Sequence, residues 1–542
     1  MKNDAMTLVK QLSVFAILLC MISGRLVIAA EAGPPNVLII VADDLGYSDL
    51  GCYGGEIETP NLDRLAANGL KFSQFYNTGR CWSSRAAILT GYYAQQIRRD
   101  ALPKMPTAGA RGVRQGWAKL LPDLLKPLGY RSYHSGKWHV DGMPLKNGFD
   151  RSYSLDDHDR YFTPRQHTEN GQPIAPVEPN SGYYATTAIA EHSIKCLREH
   201  AEKHKEKPFF QYLCFTSPHF PLHALPEDIA KYRTRYLAGW DALRDKRFAR
   251  QRELGLVMCD LSVRAEKTAP RWNPSEEELQ RRIGAGEIGR AVAWNDLTQD
   301  QQAFQAGKMA IHAAMVDRMD REIGRVIDQL VATNSLDNTL IMFLSDNGAS
   351  AEQIIRGDGH DPAASPGSAG SYLGLGPGWS TMSNSPFRMH KSWVHEGGIS
   401  TPLIVHWPAG IAEKGGLRHT SSHVIDIVPT LLEVTKAKRI ETWNDHPVPV
   451  LPGSSLTSAF VKVVAVPHAF LWWFHEGNRA VRVGDWKLVS WGAEGPWELF
   501  DMHADRSETR NLASTMPDKV RELEDTWKTK LEEFQELALQ KD

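Results

Sequence analysis

Three runs in this 542-residue chain are apolar at nearly every position and stop at polar punctuation. Asn36-Val37-Leu38-Ile39-Ile40-Val41-Ala42 ends at Asp43-Asp44. Phe209-Phe210-Gln211-Tyr212-Leu213-Cys214-Phe215 ends at Ser217-Pro218-His219, and Thr339-Leu340-Ile341-Met342-Phe343-Leu344 ends at Ser345-Asp346-Asn347-Gly348. Such runs predict strands buried on both faces, in a sheet covered by helices on each side. Between them lie amphipathic stretches that predict helices: Asn61 to Ala67, Ala118 to Leu128, Ala185 to Lys203 and Ala306 to Thr333. In the last, Met309, Ala313, Val316, Ile323, Ile327 and Leu330 fall close to helical spacing. Alternating strands and helices predict an α/β fold with a doubly wound, mostly parallel sheet.

Other segments depart from this alternation. Residues 231–305 are more polar and charged, and read as a helical insertion. Residues 357–386 are rich in Gly, Ser and Pro and read as a long loop near a site. Beyond a boundary near residue 440 the pattern shortens. Ala469 to His475, Arg479 to Val483, Trp486 to Trp491 and Glu498 to Phe500 read as strands separated by turns at Gly477-Asn478, Gly484-Asp485 and Gly495-Pro496. Met516 to Leu537 reads as one charged amphipathic helix. The expected organisation is a large domain over 31–440 and a smaller antiparallel sheet plus helix over 441–542.

The N-terminus reads as a secretory signal. Lys2 and Lys10 precede the apolar run Leu12 to Ile22, and the small residues Ala29 and Ala30 suit cleavage before Glu31. The run is about 11 residues, short of the roughly 20 that span a bilayer. The expected product is exported, periplasmic or extracellular, with no integral membrane span after cleavage. Composition is ordinary for a globular protein, with 42% hydrophobic and 23% charged residues. A net charge of −2 offers no attraction for nucleic acid or an anionic membrane. Of six cysteines, Cys20 lies in the signal. Cys52, Cys81, Cys196, Cys214 and Cys259 remain, sparse for a disulfide scaffold and without a CxxC or zinc spacing. Cys214, inside an apolar run, reads as a core residue.

In open α/β sheets, ligands sit beyond the carboxyl ends of the strands. Asp43, Asp44, Asp346 and Asn347 stand at such ends. Three carboxylates brought together repel unless a cation lies between them. Oxygen donors alone suit Ca²⁺ or Mg²⁺ better than zinc. Taken singly, each pair reads equally well as turn or cap residues.

One further segment decides the matter. Cys81-Trp82-Ser83-Ser84-Arg85-Ala86-Ala87-Ile88-Leu89-Thr90-Gly91 resembles the signature of the type I sulfatases, whose cysteine is oxidised after translation to Cα-formylglycine. Ser83 stands where that family usually carries proline. The resemblance extends in order from about Asn36 to Leu512. Asp43-Asp44 and Asp346-Asn347 resemble the calcium segments, and Gly129 to His139 resembles the second signature. Ser217-Pro218-His219 resembles the segment that supplies a histidine. Lys391 followed by Glu396-Gly397-Gly398 resembles the segment that supplies a second lysine. Glu476 to Arg482 and Gly484 to Leu488 resemble the C-terminal module. The resemblance implies an alkaline-phosphatase-like fold and hydrolysis of an aryl sulfate or sulfated carbohydrate. It implies one Ca²⁺ held by Asp43, Asp44, Asp346, Asn347 and the converted Cys81, and a formylglycine-generating maturation enzyme as partner. Arg85, Lys137 and Lys391 would supply positive charge to the sulfate oxygens. His219 with Lys391 would protonate the leaving alcohol, and His139 would assist elimination at the formylglycine. A phosphodiesterase or phosphonate monoester hydrolase of the same superfamily, or a non-catalytic binder of sulfated glycans, stays open on sequence alone. His223 and His390 are neighbouring candidates for the pocket wall, and Trp379, Trp472 and Trp473 for stacking on a ring.

Overall fold

The computed structural model describes residues 33–103, 105 and 112–540. The predicted signal segment lies outside them. Residues Pro34–Asp542 make one compact unit. Eleven strands form its main sheet: β1 (Asn36–Ala42), β2 (Leu70–Tyr76), β3 (Arg131–Gly136), β4 (Arg151–Leu155), β5 (His167–Glu169), β6 (Gln172–Pro173), β7 (Phe209–Cys214), β8 (Thr339–Ser345), β9 (Ser400–His406), β10 (Gly416–Arg418) and β11 (Ser422–His423). The order is β10-β2-β9-β8-β1-β7-β3-β4-β5-β6, with β11 beside β2. β1 is central and parallel to β7 and β8, and β3 is parallel to β7 and β4. β9 runs antiparallel to both β8 and β2, and β5 and β6 are antiparallel as well. The α/β, mostly parallel sheet expected from the sequence is therefore present, with antiparallel exceptions toward the edges.

The period of two inside the apolar runs explains why no polar residue breaks them. Val37, Ile39 and Val41 point into one core with Leu340, Met342 and Leu344. Leu38, Ile40 and Ala42 point into the opposite core with Ile341 and Phe343. The second core is covered by the helices Pro60–Ala67, Ala185–Lys203 and Gln299–Ala332. The first is covered by Leu121–Leu125, Ile427–Thr435 and Pro517–Leu539. Among the described residues no helix is long and apolar enough to cross a membrane.

Some boundaries differ from expectation for local reasons. The long helix begins at Gln299, not Ala306, because Thr298 and Gln301 form a capping box ahead of the first apolar position. The stretch from Ala118 yields only Leu121–Leu125 and a 3₁₀ turn over Lys126–Leu128, since Pro127 cannot continue the helix. In segment 231–305, helices cover Gly239–Glu253 and Glu276–Arg282, and no regular element lies between them. The Gly- and Pro-rich loop holds a buried helix, Gly376–Ser383. There Trp379 donates to Gln305 O at 2.8 Å and packs on Trp240 and Trp294, so it offers no free face.

At the C-terminus, β12 (Thr442–Trp443) pairs with β13 (His446–Pro447). An antiparallel sheet follows in chain order: β14 (Leu471–His475), β15 (Asn478–Val483), β16 (Trp486–Ser490) and β17 (Glu498–Asp501). It is joined to the main sheet by buried charges. Lys487 on β16 lies 2.9 Å from Glu396 and 2.8 Å from Glu508. Tyr76 at the end of β2 donates to Glu396 at 3.0 Å.

Candidate active site

Because β1, β3, β7 and β8 are parallel, their carboxyl ends share one edge. Asp43 and Asp44 follow β1, Lys137 follows β3, His219 follows β7, and Asp346 and Asn347 follow β8. Backbone bonds hold these ends together: Asp43 N donates to Ser217 O at 3.1 Å, Lys137 N to Cys214 O at 2.9 Å and Asp346 N to Ala42 O at 3.2 Å. Cys81 starts the helix Cys81–Thr90. That helix is fixed to the strand ends by Ser84, whose hydroxyl donates to Asp346 O at 2.5 Å and accepts from Thr78 N at 3.1 Å. Arg85, one turn on, donates through Nε to Asp346 Oδ2 at 2.8 Å and through Nη1 to Lys137 O at 2.9 Å.

Ligand atoms of Asp43, Cys81 and Asp346 lie within 4.8 Å of one another, as do those of Asp43, Asp44 and His219. Asn347 Nδ2 donates to Asp44 Oδ1 at 2.7 Å. Lys137 Nζ donates to Asp43 Oδ2. Lys391 Nζ sits 2.8 Å from Asp44 and 3.2 Å from Glu352, and His219 Nε2 sits 3.8 Å from Asp44. All these side chains are buried.

Burial acts to raise the Asp43 carboxyl, but Lys137 and Arg85 overcome it and hold Asp43 below its ordinary range. Burial prevails at Asp44 despite Lys391, and raises it. Burial and the adjacent Asp43 push Asp346 up to about 7. Burial also raises the Cys81 thiol, against the pull of Lys137 and Lys391. His219 is held well below the ordinary imidazole value by burial and by Lys391 and Lys137. Asp43 Oδ1 and Asn347 Oδ1 are buried without a hydrogen-bond partner. Crowded carboxylates with unsatisfied oxygens and no soft donor except Cys81 fit a hard divalent cation.

The predicted residues Cys81, Arg85, Lys137, His219, Lys391, Asp43, Asp44, Asp346 and Asn347 thus converge. His139 lies one step outward, its ring edge-on to Trp82 at 6.3 Å and to His158 at 5.2 Å. His158 is in turn edge-on to His219 at 5.1 Å. His158 was not singled out from the sequence, where it is one His in a polar stretch. Arg80 and Glu352 were also missed. Arg80 donates to Ser392 at 2.6 Å, and Glu352 receives Arg80 at 3.4 Å and Trp272 Nε1 at 2.9 Å. The available signals were the position of Arg80 beside Cys81 and that of Glu352 just after Asp346-Asn347-Gly348. His223 and His390 are engaged elsewhere, with Ser371 O at 2.7 Å and the Ser380 hydroxyl at 2.7 Å. Trp472 and Trp473 are core residues. The glycines of two motifs permit close approach: a Cβ on Gly348 would meet Gly397 O at 1.9 Å, and one on Gly398 would meet Trp393 O at 2.0 Å.

Comparison with known proteins agrees with this geometry. The sulfatase family model matches residues 35–437, and the model for the C-terminal region of N-sulphoglucosamine sulphohydrolase matches 387–537. An uncharacterised sulfatase of Schizosaccharomyces pombe is 33% identical over 92% of this chain and 93% of its own length. The arylsulfatase of Klebsiella aerogenes is 29% identical over 79% of this chain and 93% of its own length. The human N-acetylgalactosamine-6-sulfatase is 25% identical over 89% and 76%. The crystal structure of Ps i-CgsB in complex with k-i-k-neocarrahexaose superposes with a TM-score of 0.63 at 25% identity, covering 92% of this chain and 93% of that one. The strand-end cluster, the mixed sheet with its small C-terminal partner and these matches together place the chain in the sulfatase family, among the type I sulfatases of the alkaline phosphatase superfamily.

Proposed function

We propose that the chain hydrolyses a sulfate monoester through a formylglycine made from Cys81, with one Ca²⁺ beside it. The observation that carries the reading is the burial of Cys81 between Asp43 and Asp346, within the same cluster as Lys137 and Lys391. A thiol raised by burial and flanked by carboxylates is a poor nucleophile in its own right. The same surroundings suit an aldehyde whose hydrate supplies the attacking hydroxyl beside a bound cation that provides positive charge. Asp43, Asp44, Asp346, Asn347 and the converted Cys81 would hold that cation.

The remaining residues handle charge and protons. A sulfate ester builds negative charge on its oxygens as the ester bond breaks, and preorganised cations in a water-poor site stabilise it. Arg85 is fixed by Asp346 and by Lys137 O, so its main task is to hold the carboxylate that faces Cys81. Lys137 and Lys391 present buried ammonium groups on the two sides of the Asp43-Asp44 pair. His219 and Lys391 converge on Asp44; with the His219 ring held neutral, the proton for the leaving oxygen would come from the Lys391 ammonium, with His219 beside it as an acceptor. His139 takes a proton during sulfate release, with His158 as its neighbour toward His219. Lys2, Lys10 and the apolar run Leu12 to Ile22 support export, where the protein would meet external sulfate esters.

The test is peptide mass spectrometry across Cys81 on exported protein, combined with sulfate release from 4-nitrophenyl sulfate. Aldehyde mass with turnover is expected. An intact thiol in fully active enzyme would overturn the mechanism, and 4-nitrophenyl phosphodiesters turned over far better than the sulfate would favour the phosphodiesterase alternative.

A further inference from the structure

One buried carboxylate beside the cluster has no part in the proposed mechanism. Glu352, in the loop after β8, is 2% exposed, and donors converge on both of its oxygens. Lys391 Nζ stands 3.2 Å from Oε2, and the Ser350 hydroxyl donates to the same oxygen at 3.2 Å. Trp272 Nε1 donates to Oε1 at 2.9 Å, and Arg80 reaches it at 3.4 Å. Burial acts to raise the carboxyl, but Lys391 and Arg80 overcome it and hold it below its ordinary range, so Glu352 stands as a carboxylate. The 231–305 insertion clasps its backbone. Asn273 Nδ2 donates to Ala351 O at 2.9 Å and Asn273 Oδ1 accepts from Gln353 N at 3.0 Å, one residue to either side of Glu352. Lys391 N donates to Ala349 O at 3.1 Å, so lysine and carboxylate ride on adjoining backbone.

We propose that Glu352 is a positioning residue for Lys391: fixed by Trp272 and Asn273, it holds the ammonium at the leaving oxygen while Asp44 serves the cation. The proposal rests on the sulfate-ester reading of the site and adds the group on which its proton donor depends. Lys391 has two acceptors, Asp44 at 2.8 Å and Glu352 at 3.2 Å. Asp44 is among the residues that would hold Ca²⁺, and an ammonium and a divalent cation on one carboxylate repel each other. Glu352 belongs to neither group of close-set ligand atoms, so its charge stays with the lysine. A lysine stem is flexible, and a fixed second acceptor confines the ammonium where one shared acceptor would not. Arg80 lies against the Trp82 and Trp272 rings, 5.0 and 5.7 Å from their centroids, and faces the other oxygen of the carboxylate. Through Trp272 and Asn273 the insertion acts on the chemistry without touching the reacting atoms.

The experiment is a double-mutant cycle between Glu352→Gln and Lys391→Ala, read in two ways. The first readout is the ratio of kcat/KM for phenyl sulfate to that for 4-nitrophenyl sulfate, in which the folded and converted fractions of each preparation cancel. The more basic phenoxide needs the proton more. The ratio should therefore fall by roughly tenfold in Glu352→Gln, and should not change further when Glu352→Gln is added to Lys391→Ala. The second readout is Ca²⁺ affinity by isothermal titration calorimetry. With Glu352 neutralised, Lys391 stays on Asp44 and competes with the cation, so affinity should fall by roughly tenfold, and by much less in the Lys391→Ala background. Trp272→Phe keeps the charge and removes a donor that fixes it. It should move the ratio in the same direction, and it carries the test if Glu352→Gln yields no soluble protein. An unchanged ratio, an equal fall of the ratio with and without Lys391, or a Ca²⁺ affinity that is unchanged or lowered equally in both backgrounds would overturn the pairing. A wild-type enzyme that carries the aldehyde and binds Ca²⁺ yet turns over no sulfate would instead reject the sulfate-ester reading, and the calcium cycle would still decide the role of Glu352.

Discussion

Lys487→Met tests whether the C-terminal sheet is held by charge. Lys487 is fully buried, with its ammonium 2.9 Å from Glu396 and 2.8 Å from Glu508. Methionine keeps most of the volume and removes the charge, leaving two carboxylates short of a partner. Removing one member of a buried pair costs about 3–5 kcal/mol. Glu396 gives a second route to the size. Burial alone would raise its carboxyl, yet Lys487, Arg506 and Arg482 hold it down at about 2, against an ordinary 4.5. At about 1.4 kcal/mol per unit, that depression corresponds to stability on the order of 3 kcal/mol. The sign is that of a depressed acid: the contribution is complete above the unfolded value near 4.5 and is lost as pH falls toward 2. Urea unfolding followed by tryptophan fluorescence, at pH 7 and at points down to pH 3, should show Lys487→Met less stable by about 3 kcal/mol at neutral pH. Its stability should also fall less steeply on acidification than that of the wild type. A loss below about 1 kcal/mol at pH 7, or an unchanged acid slope, would refute the claim that this ammonium sustains the ionised Glu396.

Other consequences are as direct. Asp320 accepts from Asn61 N at 3.1 Å and Leu62 N at 2.8 Å at the start of the helix Pro60–Ala67, so Asp320→Ala should destabilise by about 2–4 kcal/mol in a urea titration. Lys391→Ala should lower kcat/KM for 4-nitrophenyl sulfate by about 10²–10³ while circular dichroism is unchanged. Dialysis against a calcium chelator should abolish turnover, and Ca²⁺ should restore it where Zn²⁺ does not, because the oxygen donors of Asp43, Asp44, Asp346 and Asn347 outnumber any soft ligand.

What was legible in the chain follows from where the physics is local. β1, β7 and β8 are buried on both faces, so every position had to be apolar and the runs stood out. The polar residues expected at the ends of such strands, Asp43, His219 and Asp346, do lie together there. β9 begins Ser400-Thr401-Pro402, a start that resembles a loop, and its antiparallel place between β8 and β2 is set only by tertiary pairing. His158 lies in a polar segment with no periodicity, and becomes a neighbour of His139 and His219 only when the chain after β4 folds back. Glu352 makes sense as a ligand to Lys391 and Arg80 only once these are brought together across the fold. Trp379 shows the converse: its exposure could not be judged before the Gly- and Pro-rich stretch proved to contain a buried helix.

Ser83 separates what the folded site needs from what maturation needs. It is the third residue of the helix Cys81–Thr90, and the first N–H groups of a helix have no intrahelical acceptor, so proline there costs no helical hydrogen bond. Ser83→Pro removes a hydroxyl that lies 2.7 Å from Thr78 Oγ1 and 3.1 Å from Arg80 O. That loss should cost about 1 kcal/mol. The tie to the strand ends is made by Ser84, which keeps its contacts with Asp346 O and Thr78 N. Cys81 is only 3% exposed in the folded chain, so under the proposed conversion a maturation enzyme would have to meet it before folding is complete and would read the segment as extended chain. Ser83→Pro should therefore change the fraction of Cys81 converted, measured by peptide mass spectrometry, while kcat per converted molecule stays within about threefold, less than 1 kcal/mol. A loss of tenfold or more per converted molecule would mean that the Ser83 hydroxyl shapes the active site itself, and that the serine serves catalysis as well as recognition by the modifying enzyme.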